Sequence, residues 1–187
     1  MVMNIITKYN SKFDINGTEE DRDFGQSLSM SADGKTVAVG ASGSKDSKGC
    51  VKVYTWDYTI KNTNKWTQLG TAIYGQWPGT FVGSSVSLSG NGKTVAIGAY
   101  SKTFRNGYLW LYTLDTQGTW VQVGNKHNIE STSDFSVTLS NDGKTVAMVV
   151  FKDNFNIDIQ NRHCGYVSVY KSKDNVALRN ETFSKRI

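Results

Sequence analysis

Apolar and polar side chains alternate in short runs along most of this 187-residue chain. The clearest runs are Ser27–Met30 and Val86–Ser89, and a period of two predicts β-strands with one buried face. Asp33–Gly34, Asn91–Gly92 and Asp142–Gly143 follow such runs and favour type I′ hairpin turns, in which both central residues need positive φ. Because no segment shows helical spacing over more than two turns, the pattern predicts an all-β protein.

The alternating runs belong to a repeat that occurs three times. The letters Gly-Lys-Thr-Val-Ala follow each turn, and a block of the form Gly-x-x-x-x-Tyr comes next in every copy. A third block, Trp-x-Gln-x-Gly, begins at Trp66 and Trp120 in the first two copies. In the second copy these blocks predict strands at about 81–89, 93–99, 107–113 and 120–124. One repeat is therefore four antiparallel strands.

Four-stranded units repeated radially are typical of β-propellers. We predict one repeat domain over residues 1–172, with copies starting near residues 24, 81 and 135. Residues 11–17 hold the place of the Trp block, so they are expected to supply an N-terminal strand that completes the last repeat. Three units fall below the four to eight blades of ordinary propellers. The alternatives are a dimer of two three-bladed chains, packing of the three units against a partner, or a threefold closure like that of a β-trefoil or β-prism.

The repeat resembles the FG-GAP (integrin-α-type) propeller repeat over roughly residues 11–171. The resemblance rests on Phe-Gly-x-Ser, Asp-Gly, Val-Ala-x-Gly-Ala, Gly-x-Val-x-Val-Tyr and Trp-x-Gln-x-Gly, and it weakens in the third copy. It implies a propeller that works in adhesion, ligand binding or scaffolding. Calcium-binding members carry Asp-x-Asp-x-Asp-Gly loops. The corresponding loops 42–48 and 100–106 hold at most one acid, and we interpret the third, 150–164, as an edge hairpin rather than a calcium site.

Composition and charge exclude several classes of protein. The formal charge is +5, but the lysines are spread along the chain, which argues against a specific nucleic-acid face. No run approaches the ~20 apolar residues of a membrane helix. Residues 1–23 lack a signal-peptide pattern, so we expect a location inside a cell or in a particle assembled there. The two cysteines, Cys50 and Cys164, are interpreted as reduced thiols, and a bridge between them stays open.

Catalytic motifs are missing from the sequence. Gly-Lys-Thr invites a phosphate-loop reading, but Ser29, Ser87 and Thr138 stand where that loop needs its first glycine. His127 and His163 have no nucleophile at instructive spacing. We therefore predict no enzyme activity, no cofactor and no metal.

Partner-binding candidates fall into two groups. Lys35, Lys93 and Lys144 recur at the same turn and would ring one face of a radial array, where they could meet an anionic partner. Trp77 lies in a loop and is a candidate interface anchor, whereas the repeated Trp66 and Trp120 are assigned to packing. The second group lies where the chain departs from the repeat, in loop 150–164 and in a polar, basic tail, 173–187: Phe155, Arg179, Lys185 and Arg186.

These observations favour a non-catalytic structural or protein-interaction module within a larger assembly. Its expected partners are other proteins, copies of itself included, and a virus particle is one assembly that the sequence permits. The alternative is a carbohydrate-binding propeller, a lectin, in which Trp77 or another loop aromatic stacks on a sugar.

Overall fold

A computed structural model describes residues 14–57, 65–104, 106–129, 135–152, 164–173 and 176–179. These residues form strands and one single-turn helix. In chain order the elements are β1 (Phe24–Met30), β2 (Thr36–Ala41), α1 (Ser44–Ser47), β3 (Cys50–Asp57), β4 (Lys65–Gln68), β5 (Ile73–Tyr74), β6 (Ser85–Leu88), β7 (Thr94–Ser101), β8 (Asn106–Leu114), β9 (Trp120–Gln122), β10 (His127–Ile129), β11 (Phe135–Leu139), β12 (Thr145–Lys152), β13 (Cys164–Lys173) and β14 (Val176–Arg179).

The strands form three sheets, and all pairs within a sheet are antiparallel. The first sheet runs β1-β2-β3-β4 with β5 also on β3, and the second runs β10-β8-β7-β6 with β9 also on β8. The third runs β11-β12-β13-β14. None of these sheets closes on itself within the described residues. The expectation of an all-β, antiparallel fold is therefore confirmed, apart from the four residues of α1.

The helix α1 is a tight turn between β2 and β3. Lys45, Asp46 and Ser47 all have positive φ, from 48° to 60°, which is unusual for residues with a side chain. Two backbone hydrogen bonds fix the end of this turn: the Phe81 N–H donates to the Ser47 carbonyl, and the Val82 N–H donates to the Lys48 carbonyl. This turn therefore lies against the segment that leads into the second sheet.

The three hairpins share one turn, but it is not the predicted type I′ turn. Only its glycine has positive φ, 70° at Gly34, and the preceding Asp33 does not. The Ser31 hydroxyl donates to the Asp33 carboxylate and accepts from the Thr36 N–H. Those side-chain bonds stabilise a longer loop, and they recur around Asn91 and Asp142.

Two apolar cores lie between successive sheets. In the first core, Ala38, Val51 and Val53 of the first sheet pack against the face of the second sheet that includes Val86 and Leu88. In the second core, other residues of the second sheet pack against the third, namely Ala96, Leu109, Leu111, Val137, Leu139, Val146 and Met148. Trp120 ties the first core together, since its indole N–H donates to the Leu69 carbonyl at 2.8 Å. The prediction that Trp120 serves packing agrees with this contact.

The fourth strand of the third sheet comes from the predicted tail. β14 pairs with β13 in the register Lys171↔Arg179 and Ser172↔Leu178, which matches Thr55↔Thr67 and Trp56↔Trp66 in the first sheet. The predicted N-terminal strand does not form in residues 14–17, and residues 11–13 lie outside the described part. The chain thus completes this sheet with its own later residues. The sequence did not show this because Leu178 replaces the tryptophan that marks the block elsewhere.

A buried ion pair fixes the segment that precedes β1. Lys52 Nζ lies 2.6 Å from Asp21 Oδ2, with both side chains nearly buried. The Thr18 N–H and hydroxyl donate to the same carboxylate oxygen at 2.8 Å. Burial alone would raise the pKa of the Asp21 carboxyl, but the Lys52 and Thr18 donors outweigh it and hold that pKa below its ordinary value. Cys50, directly beneath, is a buried free thiol whose pKa burial raises.

Candidate functional site

Each sheet has a leading face, which packs on the sheet before it, and a trailing face, which packs on the sheet after it. The first sheet has no described sheet before it. Its leading-face residues Leu28 and Met30 are 68% and 53% exposed. The repeat-equivalent residues in the other two sheets are only 5–8% exposed: Val86, Leu88, Val137 and Leu139. The first sheet therefore exposes apolar side chains whose equivalents in the other two sheets are buried.

The trailing face of the third sheet shows the same contrast. Val51 of the first sheet and Leu109 of the second are fully buried. Their equivalent in the third sheet, Val167, is 45% exposed. Ser136 and Thr138 on β11 are exposed too. The array therefore has two candidate interaction surfaces. The leading end face is defined by Leu28 and Met30, and the trailing end face by Thr138 and Val167.

Part of the leading end face is already covered. Residues 14–23 cross its outer strands, where Asp21 meets Lys52 and Phe24 packs edge-on against Tyr54. The corresponding segment before β6 also packs on its sheet, since Val82 belongs to the first core. The uncovered part is the edge strand β1.

A cleft of about 360 Å³ opens between the first and second sheets. Its aromatic walls are Tyr74 on β5 and Trp110 and Tyr112 on β8, and Trp110 stacks on Tyr108 at 6.2 Å between ring centroids. The cleft volume falls within the roughly 300–1,000 Å³ of small-molecule sites. Three side-chain amides complete its lining: Gln76, Gln122 and Asn125.

The charges around the cleft are positive or absent. Lys126 lines it and places its Nζ 4.7 Å from the Tyr108 ring centre, and Lys45 Nζ lies 3.9 Å from that of Tyr74. Burial raises the pKa of Tyr112, so this phenol stays neutral at physiological pH. Because no described carboxylate lines the cleft, it lacks the paired acids of glycoside hydrolysis. The arrangement suits binding of a polar ligand that is neutral or anionic.

The three turn lysines lie on adjoining turns. The Ala32 N–H donates to the Gly90 carbonyl, and the Gly90 N–H donates to the Asn141 carbonyl, both at 2.9 Å. Lys35, Lys93 and Lys144 are exposed on these turns, and their role as a ring that binds a partner stays a prediction. The same turns also carry carboxylates, which offset much of the positive charge: Asp33 and Asp142.

Trp77 is 60% exposed, as an interface anchor would be. Its loop is fixed by Thr80, whose hydroxyl lies within hydrogen-bond distance of the Trp77 and Lys48 carbonyls. The Lys102 N–H donates to the Gly79 carbonyl, which joins this loop to the one carrying the exposed Phe104. Of the remaining candidates, Arg179 is described only as backbone of β14, and three lie outside the described residues: Phe155, Lys185 and Arg186. The centre of loop 150–164 is outside them as well.

Neither the end faces nor the cleft was predicted from the sequence. The end faces had no local signal, because the repeat alignment equates the exposed Leu28 with the buried Val86 and Val137. The cleft had a weak signal: Trp110 stands where the other copies have Lys52 and Ser168. Which sheets face each other, and therefore which aromatics share a cleft, depends on the packing.

Among the described residues, no three His, Cys, Asp or Glu side chains lie close enough together to hold a metal ion. In the same part of the chain, no helix is long and apolar enough to cross a bilayer.

Comparison with known proteins gives information on the fold only. No protein-family model matches the chain, and no curated protein sequence matches it. The FG-GAP assignment therefore stays a prediction. Among solved structures, the chain is similar to Kuenenia stuttgartiensis hydrazine synthase at 18% identity and a TM-score of 0.55, over 83% of this chain and 41% of that one.

Two further structures are similar at lower scores. A Dos1 propeller matches at 14% identity and a TM-score of 0.43, over 81% of this chain and 32% of that one. Pyrococcus horikoshii acylaminoacyl peptidase matches at 12% identity and a TM-score of 0.44, over 88% of this chain and 25% of that one. Two of the three are enzymes, but at this identity their activities do not extend to this chain. The chain spans about two-fifths of the hydrazine synthase chain, and its structural neighbours are β-propeller-type folds.

Proposed function

We propose that this protein is a non-catalytic interaction module that works within a larger assembly and binds its partner through its two end faces. The supporting observation is the exposure of Leu28, Met30 and Val167, whose repeat equivalents are buried between sheets. In this proposal the three sheets are propeller blades of the FG-GAP type. A stacked array stays apart from other molecules when polar residues cap its ends, and Leu28, Met30 and Val167 instead expose apolar side chains there.

The chemistry of the described residues supports binding rather than catalysis. The cleft holds aromatic and amide groups without a carboxylate, and the buried Cys50 has a raised pKa that keeps it a thiol. The buried acid, Asp21, is occupied by Lys52 and Thr18. No group among these combines accessibility with the perturbed pKa that acid–base or nucleophilic chemistry needs.

The test is the size of the particle that contains the native protein. We expect the wild type to run in extracts of its source above the mass of one 187-residue chain. Leu28→Asp should release it, because a carboxylate placed in an apolar contact has no partner to pair with. The control is Val121→Asp, which changes a 48% exposed valine on β9, away from both end faces. A wild-type protein that runs as one chain, unaffected by either substitution, would overturn the proposal.

A second candidate function is carbohydrate binding in the cleft between the first two sheets. Sugars present apolar faces and many hydroxyls, which match aromatic rings flanked by amides. The Gln76 and Asn125 side chains make no hydrogen bond to another described residue, so they are available to a ligand. Gln122 is placed by its neighbours, since the Tyr112 hydroxyl lies 3.4 Å from its carbonyl oxygen and its amide donates to Gly124.

Titration of the protein with neutral oligosaccharides on a glycan array, followed by calorimetry of the hits, tests this second function. We expect Gln76→Ala and Tyr74→Ala to weaken binding about tenfold each, because both side chains are exposed and their loss leaves the core intact. Trp77→Ala serves as the matched control, because this exposed aromatic lies beside Gln76 but outside the cleft lining. Equal loss with Trp77→Ala would place the sugar on the loop instead, and an array without hits would exclude the function.

A further inference from the structure

We propose that the partner of the end faces is a second copy of this chain, with the leading face of each copy on the trailing face of the other. This inference rests on the proposed function and names its partner. Two such contacts related by a twofold axis close a ring of six sheets. The chain itself contains the template for this contact, because its first and second sheets, and its second and third, already pack in this way.

Hydrogen bonds between the edge strands β1, β6 and β11 of neighbouring sheets repeat from one interface to the next. The Leu88 N–H donates to the Ser29 hydroxyl at 2.9 Å, and the Leu139 N–H donates to the Ser87 hydroxyl at 2.8 Å. In each case the amide belongs to a leading face and the hydroxyl to the trailing face before it. The next pair in this series is the Met30 N–H of one copy and the exposed Thr138 hydroxyl of the other.

The hairpin turns follow the same rule. Ala32 donates its N–H to the Gly90 carbonyl, and Gly90 donates its own to the Asn141 carbonyl. Asn141 is the last of these equivalent residues and Ala32 the first. The second copy therefore allows the Asn141 N–H to donate to its Ala32 carbonyl, which continues the row of turns around the ring.

The apolar groups at the two ends match in the same way. Leu28 and Met30 are as large as the residues that fill the internal interfaces, and Val167 occupies the position of Val51 and Leu109. Two chains of three sheets make six, within the four to eight blades of closed propellers, whereas three chains would make nine. The count favours a dimer over a larger ring.

One residue makes the new contact looser than the internal ones. A side chain on Gly40 would collide with the Gly83 carbonyl of the second sheet, so these backbones approach closely. The third sheet has Val149 at the equivalent position, which keeps a second copy further away at that point. We therefore expect reversible association, measurable at micromolar concentrations.

The experiment is sedimentation equilibrium of the purified full chain and of two single variants. The wild type should sediment as a dimer. Leu28→Asp and Val167→Asp should each weaken dimerisation at least about 100-fold, because every contact in the ring joins one leading and one trailing face. Val121→Asp should dimerise like the wild type. Circular dichroism shows whether each variant is folded, and both changed side chains are exposed in the single chain.

Mixing the two variants separates a second copy from any other partner. Leu28→Asp keeps an intact trailing face and Val167→Asp an intact leading face, so an equimolar mixture should form a 1:1 dimer through one contact. Failure of the folded variants to associate on mixing would overturn the inference, as would a wild type that is monomeric or forms open filaments. If the purified wild type is monomeric while the native complex still depends on Leu28, the second copy is excluded and the proposed function stands.

Discussion

Replacing Trp120 by alanine is expected to destabilise the fold by about 3–5 kcal/mol, the usual cost of removing a buried tryptophan. Trp120 is 6% exposed and belongs to the core between the first two sheets. Its indole N–H also donates to the Leu69 carbonyl, so the substitution leaves that carbonyl without its partner. Urea denaturation of the wild type and the variant measures the loss as a change in the free energy of unfolding.

Trp77→Ala is the matched control, since the same side-chain atoms are removed from a residue that is 60% exposed. This variant should stay within about 0.5 kcal/mol of the wild type. Comparable losses at both positions would mean that Trp120 does not join the two sheets. A large loss of stability with Trp77→Ala alone would show that Trp77, and not Trp120, is the tryptophan that packs in the core.

Lys52→Met should lower the free energy of unfolding by about 3 kcal/mol, because it leaves the Asp21 carboxylate buried without a countercharge. Asp21→Leu combined with Lys52→Met removes both charges, and we expect this double variant to be more stable than Lys52→Met alone. The control is Lys93→Met, which changes an exposed lysine and should have little effect. A double variant no more stable than the single one would show that the charges are not coupled.

The pH dependence of stability follows from the same pair. Asp21 has a pKa below its ordinary value of 3.8 in the folded chain. A carboxyl with a lowered folded pKa contributes stability above its unfolded pKa and loses it as the pH falls through the folded value. We therefore expect the wild type to lose this contribution below about pH 4. Lys52→Met should lack that acid-sensitive component, and urea titrations at pH 7 and at pH 3 compare the two.

Strand type and repeat period could be read from local patterns. The alternation in Ser27–Met30 predicts a strand with one buried face, and the structure has a strand there. The turn type was wrong, because the Ser31 hydroxyl competes for the backbone of the hairpin, an interaction that a turn dipeptide does not reveal. The fourth strand of the third sheet was missed because pairing with β13, rather than a tryptophan, defines β14.

The candidate sites also differ in how far the sequence could predict them. Trp77 was predicted from its loop position to be an interface anchor; its side chain is exposed, and its contact with a partner stays a prediction. The end faces depend on an absence of neighbours: Leu28 and Val86 follow the same pattern, yet only Val86 is covered by a preceding sheet. Local sequence is the same for both residues, so it cannot distinguish a buried one from an exposed one.

The sequence by itself determined the all-β class, the repeated pattern and most of the strands, because these depend on the period of side chains along a single strand. The tertiary structure decided the order of the sheets, the inter-sheet cleft and the two uncovered faces. These depend on contacts between residues more than fifty positions apart, such as Ser29 with Leu88 and Leu69 with Trp120. The repeated pattern predicts which apolar residues of each unit can be buried. Only the packing of the sheets shows which of these residues have no neighbouring sheet and stay exposed.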